Sequence, residues 1–270
     1  MKKIVLSLLV GFAVLTAVAQ DNPNAKSPTY KEDKKKARRD HINELIKREE
    51  EGEIIFNKQS IFGIKLNTDG YGISYEFGRF KSARVANIFQ FELNEKKHPK
   101  EKRTSSGDIN GFSFNSVIYG KENNFYQFKI GAGQQRVIGG KGNKNGVAVM
   151  GIYTAGLSAG LQKPYMVNVS RFLNGGDQFR STYPTIIDSG YYEIGAAGFT
   201  RGWDKVKLKP GAHAKLAMRF DYGRFNETVA AIEVGVNAEY YFSKVAQMAY
   251  SKDKNFFFNG YITLLFGRRK

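Results

Sequence analysis

The chain contains no cysteine. This excludes a disulfide framework, a thiolate metal site and an acylated lipoprotein cysteine, so any association with a membrane must do without a lipid anchor of that kind. Histidine is scarce as well: His41, His98 and His213 fall in three different segments, none at metal-ligand spacing, so no metal and no cofactor is expected. There is a single tryptophan and there are six prolines. Acidic residues are in the minority, 25 Asp and Glu against 42 Lys and Arg, a net charge of +17. Beyond the first twenty residues no stretch approaches the ~20 apolar residues of a membrane helix. An integral membrane state would therefore have to be a closed barrel.

The start, MKKIVLSLLVGFAVLTAVAQ, has two lysines, an apolar run and then Ala17, Val18 and Ala19 as a small-x-small site. It predicts a secretory signal peptide over residues 1–19, with cleavage near Gln20. Export argues against nucleic acid as the partner of so basic a chain and points instead to phosphate-bearing surfaces. Residues 20–56 predict a polar tether and a charged helical segment, with a narrow apolar stripe at Ile42, Leu45 and Ile46. Its basic residues come first and Glu49, Glu50 and Glu51 last, against the helix macrodipole. Such a segment is expected to fray until something holds it, as a solvated helix or as a docking helix for a periplasmic partner.

From Ile61 the periodicity is two. IFGIKLN and YGISYEFGRF, joined by TDG, each set apolar residues against small or polar ones and predict a hairpin. RVANIFQFELN, NFYQFKIGAGQQ, HAKLAMRFDY, AAIEVGVNAEYYF and FFFNGYITLLFG repeat the pattern, while FSFNSVIYG and VAVMGIYTAGLSAGL are two-sided. A soluble sandwich would turn the polar face to water under no rule of sign. A membrane barrel would turn it into the lumen, with mixed charges and small residues there. Lys65, Glu76, Glu92, Lys129, Lys215, Arg219, Asp221, Glu233 and Glu239, four basic and five acidic, fit the second description as lumen-facing charges. Tyr71, Phe80, Tyr222, Tyr240 and Phe266 suit aromatic girdles.

The expected fold is thus all-β, a transmembrane antiparallel β-barrel of about ten strands, within eight to twelve, over residues 57–270. Parity of connections puts FKSA, GKENN and GRFNE on the periplasmic side with both termini, and EKKHPKEKRTSSGDIN, RVIGGKGNKNG and SKVAQMAYSKDKN outside. It requires YMVNVSRF as an added strand and leaves a long external loop near 173–206. In the last strand Phe256, Phe258, Ile262, Leu264 and Phe266 are expected to face lipid, Phe266 being the residue read by barrel-assembly machinery. The trailing GRRK reads as a basic periplasmic tail.

The segments NKQSIFGIKLNTDGYGISYEFG, FQFELNEKKHPKE, AGLSAGLQKPY, VKLKPGAHAKLAMRFDYG, AIEVGVNAEYYF and FNGYITLLFG together resemble an uncharacterised family of exported outer-membrane β-barrel proteins. That family is associated with bacteria that use gliding and type IX secretion systems. The resemblance implies a barrel in the outer membrane and supplies no catalytic residue. His213 reads as a lumenal hydrogen-bonding group, and Ser158 is the one nearby candidate for a lipid-modifying Ser/His pair. GGKGNKNG lacks the spacing of a phosphate loop; with EKKHPKEKR it suggests contact with lipopolysaccharide. Trp203 reads as an interfacial anchor or packed loop residue before a ligand platform. The expected function is a non-enzymatic structural or accessory subunit of a cell-envelope complex, with a periplasmic or surface protein partner. A narrow pore or small-solute binder and a lipid-modifying enzyme are the alternatives.

Overall fold

A computed structural model describes residues 28–50, 56–105, 116–141, 146–171, 177–183, 186, 189–223 and 227–270. The signal peptide predicted over 1–19 and the polar stretch up to Ser27 lie outside the described residues. The chain divides at Lys47–Arg48 into two units. In the first, the helix α1 (Pro28–Glu50) opens on a proline, a residue suited to a first helical position because its missing N–H has no partner there anyway. No acidic residue occupies its first turn, and the run from Glu32 to His41 is exposed.

In chain order the described strands are β1 (Lys58–Asn67), β2 (Gly70–Ser82), β3 (Val85–Lys96), β4 (Arg103–Ser105), β5 (Ser116–Ile118), β6 (Asn123–Gly139), β7 (Ala148–Pro164), β8 (Met166–Ser170), β9 (Gln178–Thr182), β10 (Tyr192–Ala196), β11 (Lys207–Asp221), β12 (Thr228–Val245) and β13 (Lys254–Arg269). Eight of them, β1, β2, β3, β6, β7, β11, β12 and β13, close an antiparallel barrel in that order. Closure runs from Gln59 opposite Arg269 to Asn67 opposite Tyr261, so the last strand pairs with IFGIKLN as its sequence suggests. It leaves no edge to recruit another chain.

The ring has eight strands, the lower bound of the eight to twelve expected and two fewer than the ten that parity of connections suggested. FSFNSVIYG contributes β5, which pairs only with β4, and YMVNVSRF contributes β8, the middle strand of a separate sheet with β9 and β10. These strands have three and five residues, whereas those of the wall run from 10 to 18. Val117, Val167 and Val169 are buried in a small core with Tyr183 and Ile186, so the apolar face of β8 is spent on its own cap. Losing two wall strands also reverses the parity between them. GGKGNKNG joins β6 to β7 at the barrel end where β1 starts and β13 finishes, while GKENN and LQKP belong to the far end. At the terminal end the connections are 83–84, 140–147 and 222–227; at the far end they include 97–122 and 165–206.

Alternation along the wall sorts the residues by chemistry. Outward positions carry no charge from Phe62 to Leu66, Ile73 to Phe77, Phe89 to Leu93, Phe128 to Ala132, Tyr153 to Leu161, Ala212 to Phe220, Ala230 to Phe242 and Phe256 to Phe266. Tyr71, Tyr222, Tyr240 and Phe266 are exposed on the outside near strand ends. Phe80 is the exception: by regular alternation it takes the inward parity of Glu76 and Gly78, opposite the buried Ala86, and is half-buried.

The ring is tight enough to demand glycine. A Cβ on Gly156, inward-facing on β7, would lie 2.0 Å from the Ile130 carbonyl oxygen of β6. Since that neighbour is backbone, Gly156→Val is expected to destabilise the barrel by about 3 kcal/mol, the upper end of the usual overpacking cost. Unfolding midpoints of the refolded variant in detergent check it, and an unchanged midpoint would refute the close approach.

Candidate functional site

The polar half of each wall strand meets its counterparts in the barrel interior. All nine charges read from the sequence as inward-facing are buried there. Arg219 on β11 is the central cross-link: its Nη2 donates to Glu76 of β2 at 2.6 Å and to Glu233 of β12 at 2.7 Å, its Nη1 to Glu76 at 2.9 Å and its Nε to Glu233 at 3.0 Å. The planar fork suits two carboxylates on different walls. Next along the axis, Lys65 donates to both oxygens of Glu92, at 2.9 and 3.1 Å. Lys215 reaches Glu92 at 3.3 Å and Glu233 at 3.4 Å. Lys129 pairs with Glu239.

Three further charges complete the chain of pairs. Lys96 lies 3.4 Å from Glu239 and 2.5 Å from Asp69, in the β1–β2 turn, and Arg269 lies 2.6 Å from Asp221. With them the strands and this turn place six cations (Lys65, Lys96, Lys129, Lys215, Arg219, Arg269) against six carboxylates (Asp69, Glu76, Glu92, Asp221, Glu233, Glu239) inside the ring. The signal for Lys96 was its parity with Glu92 and Asn94, and for Arg269 its parity with Tyr261 and Thr263. Arg269 corrects the reading of GRRK as a free basic tail: the strand continues through it, and Lys270 N–H bonds the Lys58 carbonyl at 2.8 Å. Lys141, from GGKGNKNG, likewise folds onto the terminal-end mouth and donates to the Gly223 carbonyl at 2.6 Å.

Ser158 and His213 do meet, Oγ to Nδ1 at 3.0 Å. Both are buried inside the ring. The hydroxyl therefore points away from the outer surface where a lipid substrate would lie, and the pair acts as an interior hydrogen bond. His98 is elsewhere, in the far-end connection, where partial burial and Lys254 lower its pKa. Its backbone N–H donates to the Glu101 carboxylate at 3.0 Å. His41 lies on α1.

The terminal strand turns Phe256, Phe258, Ile262, Leu264 and Phe266 outward, each between 43% and 66% exposed. At the opposite rim the stretch predicted as a long loop is a folded cap. Phe179 and Tyr191 pack edge to face at 4.9 Å over the core of Val167 and Val169, and burial raises the pKa of the Tyr165 and Tyr183 phenols in this cap. Trp203 folds back over the outer wall and stacks on Tyr126 at 5.7 Å, its indole N–H donating to the Phe199 carbonyl at 3.0 Å. The cap and rim enclose a recess of about 500 Å³. A second recess of about 610 Å³ lies along the outer wall beneath Trp203.

No family model matches the sequence, and no curated protein matches it. Among solved structures, the N-terminal β-barrel domain of OprF from Pseudomonas aeruginosa is similar at 12% identity and a TM-score of 0.35, over 80% of this chain and 98% of that one. Ail, the attachment invasion locus protein of Yersinia pestis, is similar at 12% identity and a TM-score of 0.35, over 80% and 100%. Neisserial surface protein A, NspA, is similar at 10% identity and a TM-score of 0.36, over 80% and 97%. Likenesses this distant carry no functional argument, and a function has to be reasoned from the residues of this chain.

Proposed function

We propose that the protein is an integral outer-membrane β-barrel whose lumen is closed by ion pairs, serving as a non-enzymatic structural or accessory subunit of a cell-envelope complex. The observation that carries this reading is the inverted distribution of polarity: the ring buries eleven charges, with Asp69 half-buried at its rim, and shows an uncharged apolar belt on every wall strand. In water that belt would be a large exposed apolar patch, whereas in a bilayer it is the expected outer face. Long far-end and short terminal-end connections orient the termini toward the periplasm and the cap outward. Export by the signal peptide and reading of Phe266 by the assembly machinery belong to the same proposal. Cell fractionation with heat-modifiable gel mobility tests it; a soluble, non-modifiable band would sink it.

An eight-stranded ring is just wide enough for side chains to fill, which supports a closed lumen over the pore or solute-binding alternative. The purified barrel is expected to show no steady conductance in a planar bilayer, and stepwise openings would reverse that choice. The inward placement of Ser158 and His213 argues against a lipid-modifying enzyme. The partners proposed are a periplasmic protein at α1 and a surface protein at the cap, within the envelope machinery of bacteria with gliding and type IX secretion systems. Crosslinking and pull-down from native outer membrane identify them.

A further inference from the structure

We infer that the far rim of the barrel holds one phosphorylated lipid, a lipid A molecule of the outer leaflet, with an acyl chain along the outer wall and a phosphate in the recess under the cap. The inference rests on the outer-membrane proposal and adds a binding site to it.

The two recesses adjoin. Both are lined by Tyr71, Glu95 and Tyr126, so one ligand can occupy both. The lower one runs over Leu66, Ile73, Leu93, Phe128 and Leu161 and is roofed by Trp203. These side chains belong to the outward, uncharged rows of β1, β2, β3, β6 and β7, so the recess opens toward the bilayer. A water-soluble ligand would have no reason to place an apolar half there. Each volume lies within the range of pockets that bury small ligands, about 300–1,000 Å³.

The upper recess supplies charge of one sign. Lys97, Arg103, Lys121, Lys163 and Arg201 line it against Glu95 and Glu101, five cations to two anions, or +3. Both carboxylates already have partners: Glu95 accepts from the Tyr71 hydroxyl at 2.5 Å, and Glu101 pairs with Lys121 at 2.9 Å. Among the described residues, Lys97, Arg103, Lys163 and Arg201 form no ion pair. Lys163 is the unusual member. It takes the outward parity of β7, yet the Phe199–Trp203 segment covers it to 1% exposure. Its ammonium donates to the Phe199 carbonyl and sits 4.6 Å from the Phe199 ring and 4.9 Å from the Trp203 ring. Glu95 attracts it across the recess without contact, and a covered cation with no carboxylate in contact is costly unless an anion approaches. A phosphate entering beside Arg103 and Arg201 supplies that anion with charge-assisted hydrogen bonds.

The occupant is set by position. The recess sits at the rim where the apolar belt ends and the cap begins, the depth at which a lipid joins its acyl chains to its phosphates. In the proposed orientation the leaflet at that rim is the outer one, whose phosphorylated lipid is lipid A.

Trp203 is the only tryptophan in the chain and roofs the proposed acyl groove, so its fluorescence reports on this site alone. The experiment titrates the purified, folded barrel in detergent with lipid A carrying brominated acyl chains. Quenching is expected to saturate at one lipid per barrel. The exposed pair Arg103→Gln and Arg201→Gln is expected to raise the midpoint about tenfold or more, as the loss of charged hydrogen bonds implies. Dephosphorylated brominated lipid A should be similarly weak, and brominated phosphatidylglycerol weaker than lipid A. Quenching that rises in proportion to lipid without saturating would mark ordinary annular lipid and overturn the site. An equal midpoint for the dephosphorylated lipid would remove the phosphate subsite, and an equal midpoint for phosphatidylglycerol would overturn lipid A as the occupant. Heat-modifiable mobility is recorded for each preparation. A modifiable barrel with unsaturable quenching defeats the site alone, whereas a soluble, non-modifiable protein defeats the outer-membrane reading and the site with it.

Discussion

Arg219→Met is expected to destabilise the barrel by about 3–5 kcal/mol, the usual consequence of removing one partner from a buried ionic network. The guanidinium makes four short contacts to Glu76 and Glu233, which lie on different strands. Methionine fills much of the same space but leaves both carboxylates short of cations, and a charge left unpaired in the interior must be neutralised or hydrated. Lys215 still reaches Glu233 at 3.4 Å; among the described residues Glu76 keeps the Gln59 amide, at 3.0 Å, as its one hydrogen-bond donor, with Lys215 attracting it from beyond contact. The loss should therefore fall mainly on Glu76, and adding Glu76→Gln to Arg219→Met should restore a good part of it. The check is denaturant unfolding of the refolded barrel followed by β-sheet circular dichroism. Equal midpoints for wild type and Arg219→Met would refute the central role of this residue.

Ile262→Arg should have a comparable effect by the opposite route. Ile262 is 51% exposed in the middle of β13, with Leu66 opposite it on β1 and Val234 opposite it on β12. If the belt faces hydrocarbon, an arginine there costs about 2–4 kcal/mol of folding in the bilayer. If it faces water, the same change is close to neutral. The variant is therefore expected to refold poorly into vesicles while still folding in detergent micelles, whose shape adapts around a charge. Equal folding in both would remove the membrane from the argument. Thr263→Arg, one residue along but facing inward, is a useful contrast: it would add an unpaired charge among Lys65 and Glu233 and should fail in both media.

Alternation made the wall legible. The rows Phe62–Ile64–Leu66 and Lys65–Glu92–Lys129 could be assigned to outer and inner faces because successive strand residues point to opposite sides, a rule that needs only local sequence. The candidate residues of the interior came from it, as did the apolar face of the last strand. It was less informative where both faces are small or apolar. FSFNSVIYG and YMVNVSRF have the same local pattern whether they complete a wall or cover a cap, and only the packing of Val117, Val167 and Val169 against Tyr183 separates these outcomes. Once those two segments leave the ring, every connection between them changes ends, which moves GGKGNKNG from the outside to the terminal mouth.

The rim recess had a fainter signal. Lys163 is a cation on the outward parity of a strand whose other outward positions, from Tyr153 to Leu161, are uncharged. That break in pattern marks a border of the belt. The covering by Phe199 and Trp203 comes from much later in the chain, the partners of the Lys163–Phe199 bond being 36 positions apart, and no local pattern announces it.

By itself the sequence determined that the chain builds β-strands with one apolar and one charged face, and which residues lie on each, because side-chain direction in a strand repeats every two residues. Only the tertiary structure decided that eight strands close the ring, that Asp69, Lys96 and Arg269 complete its charge balance, and that Ser158 meets His213 inside it. The reason is physical: closure and cross-barrel pairing join residues far apart in the chain, and a local pattern sets the direction of a side chain but not the partner it meets.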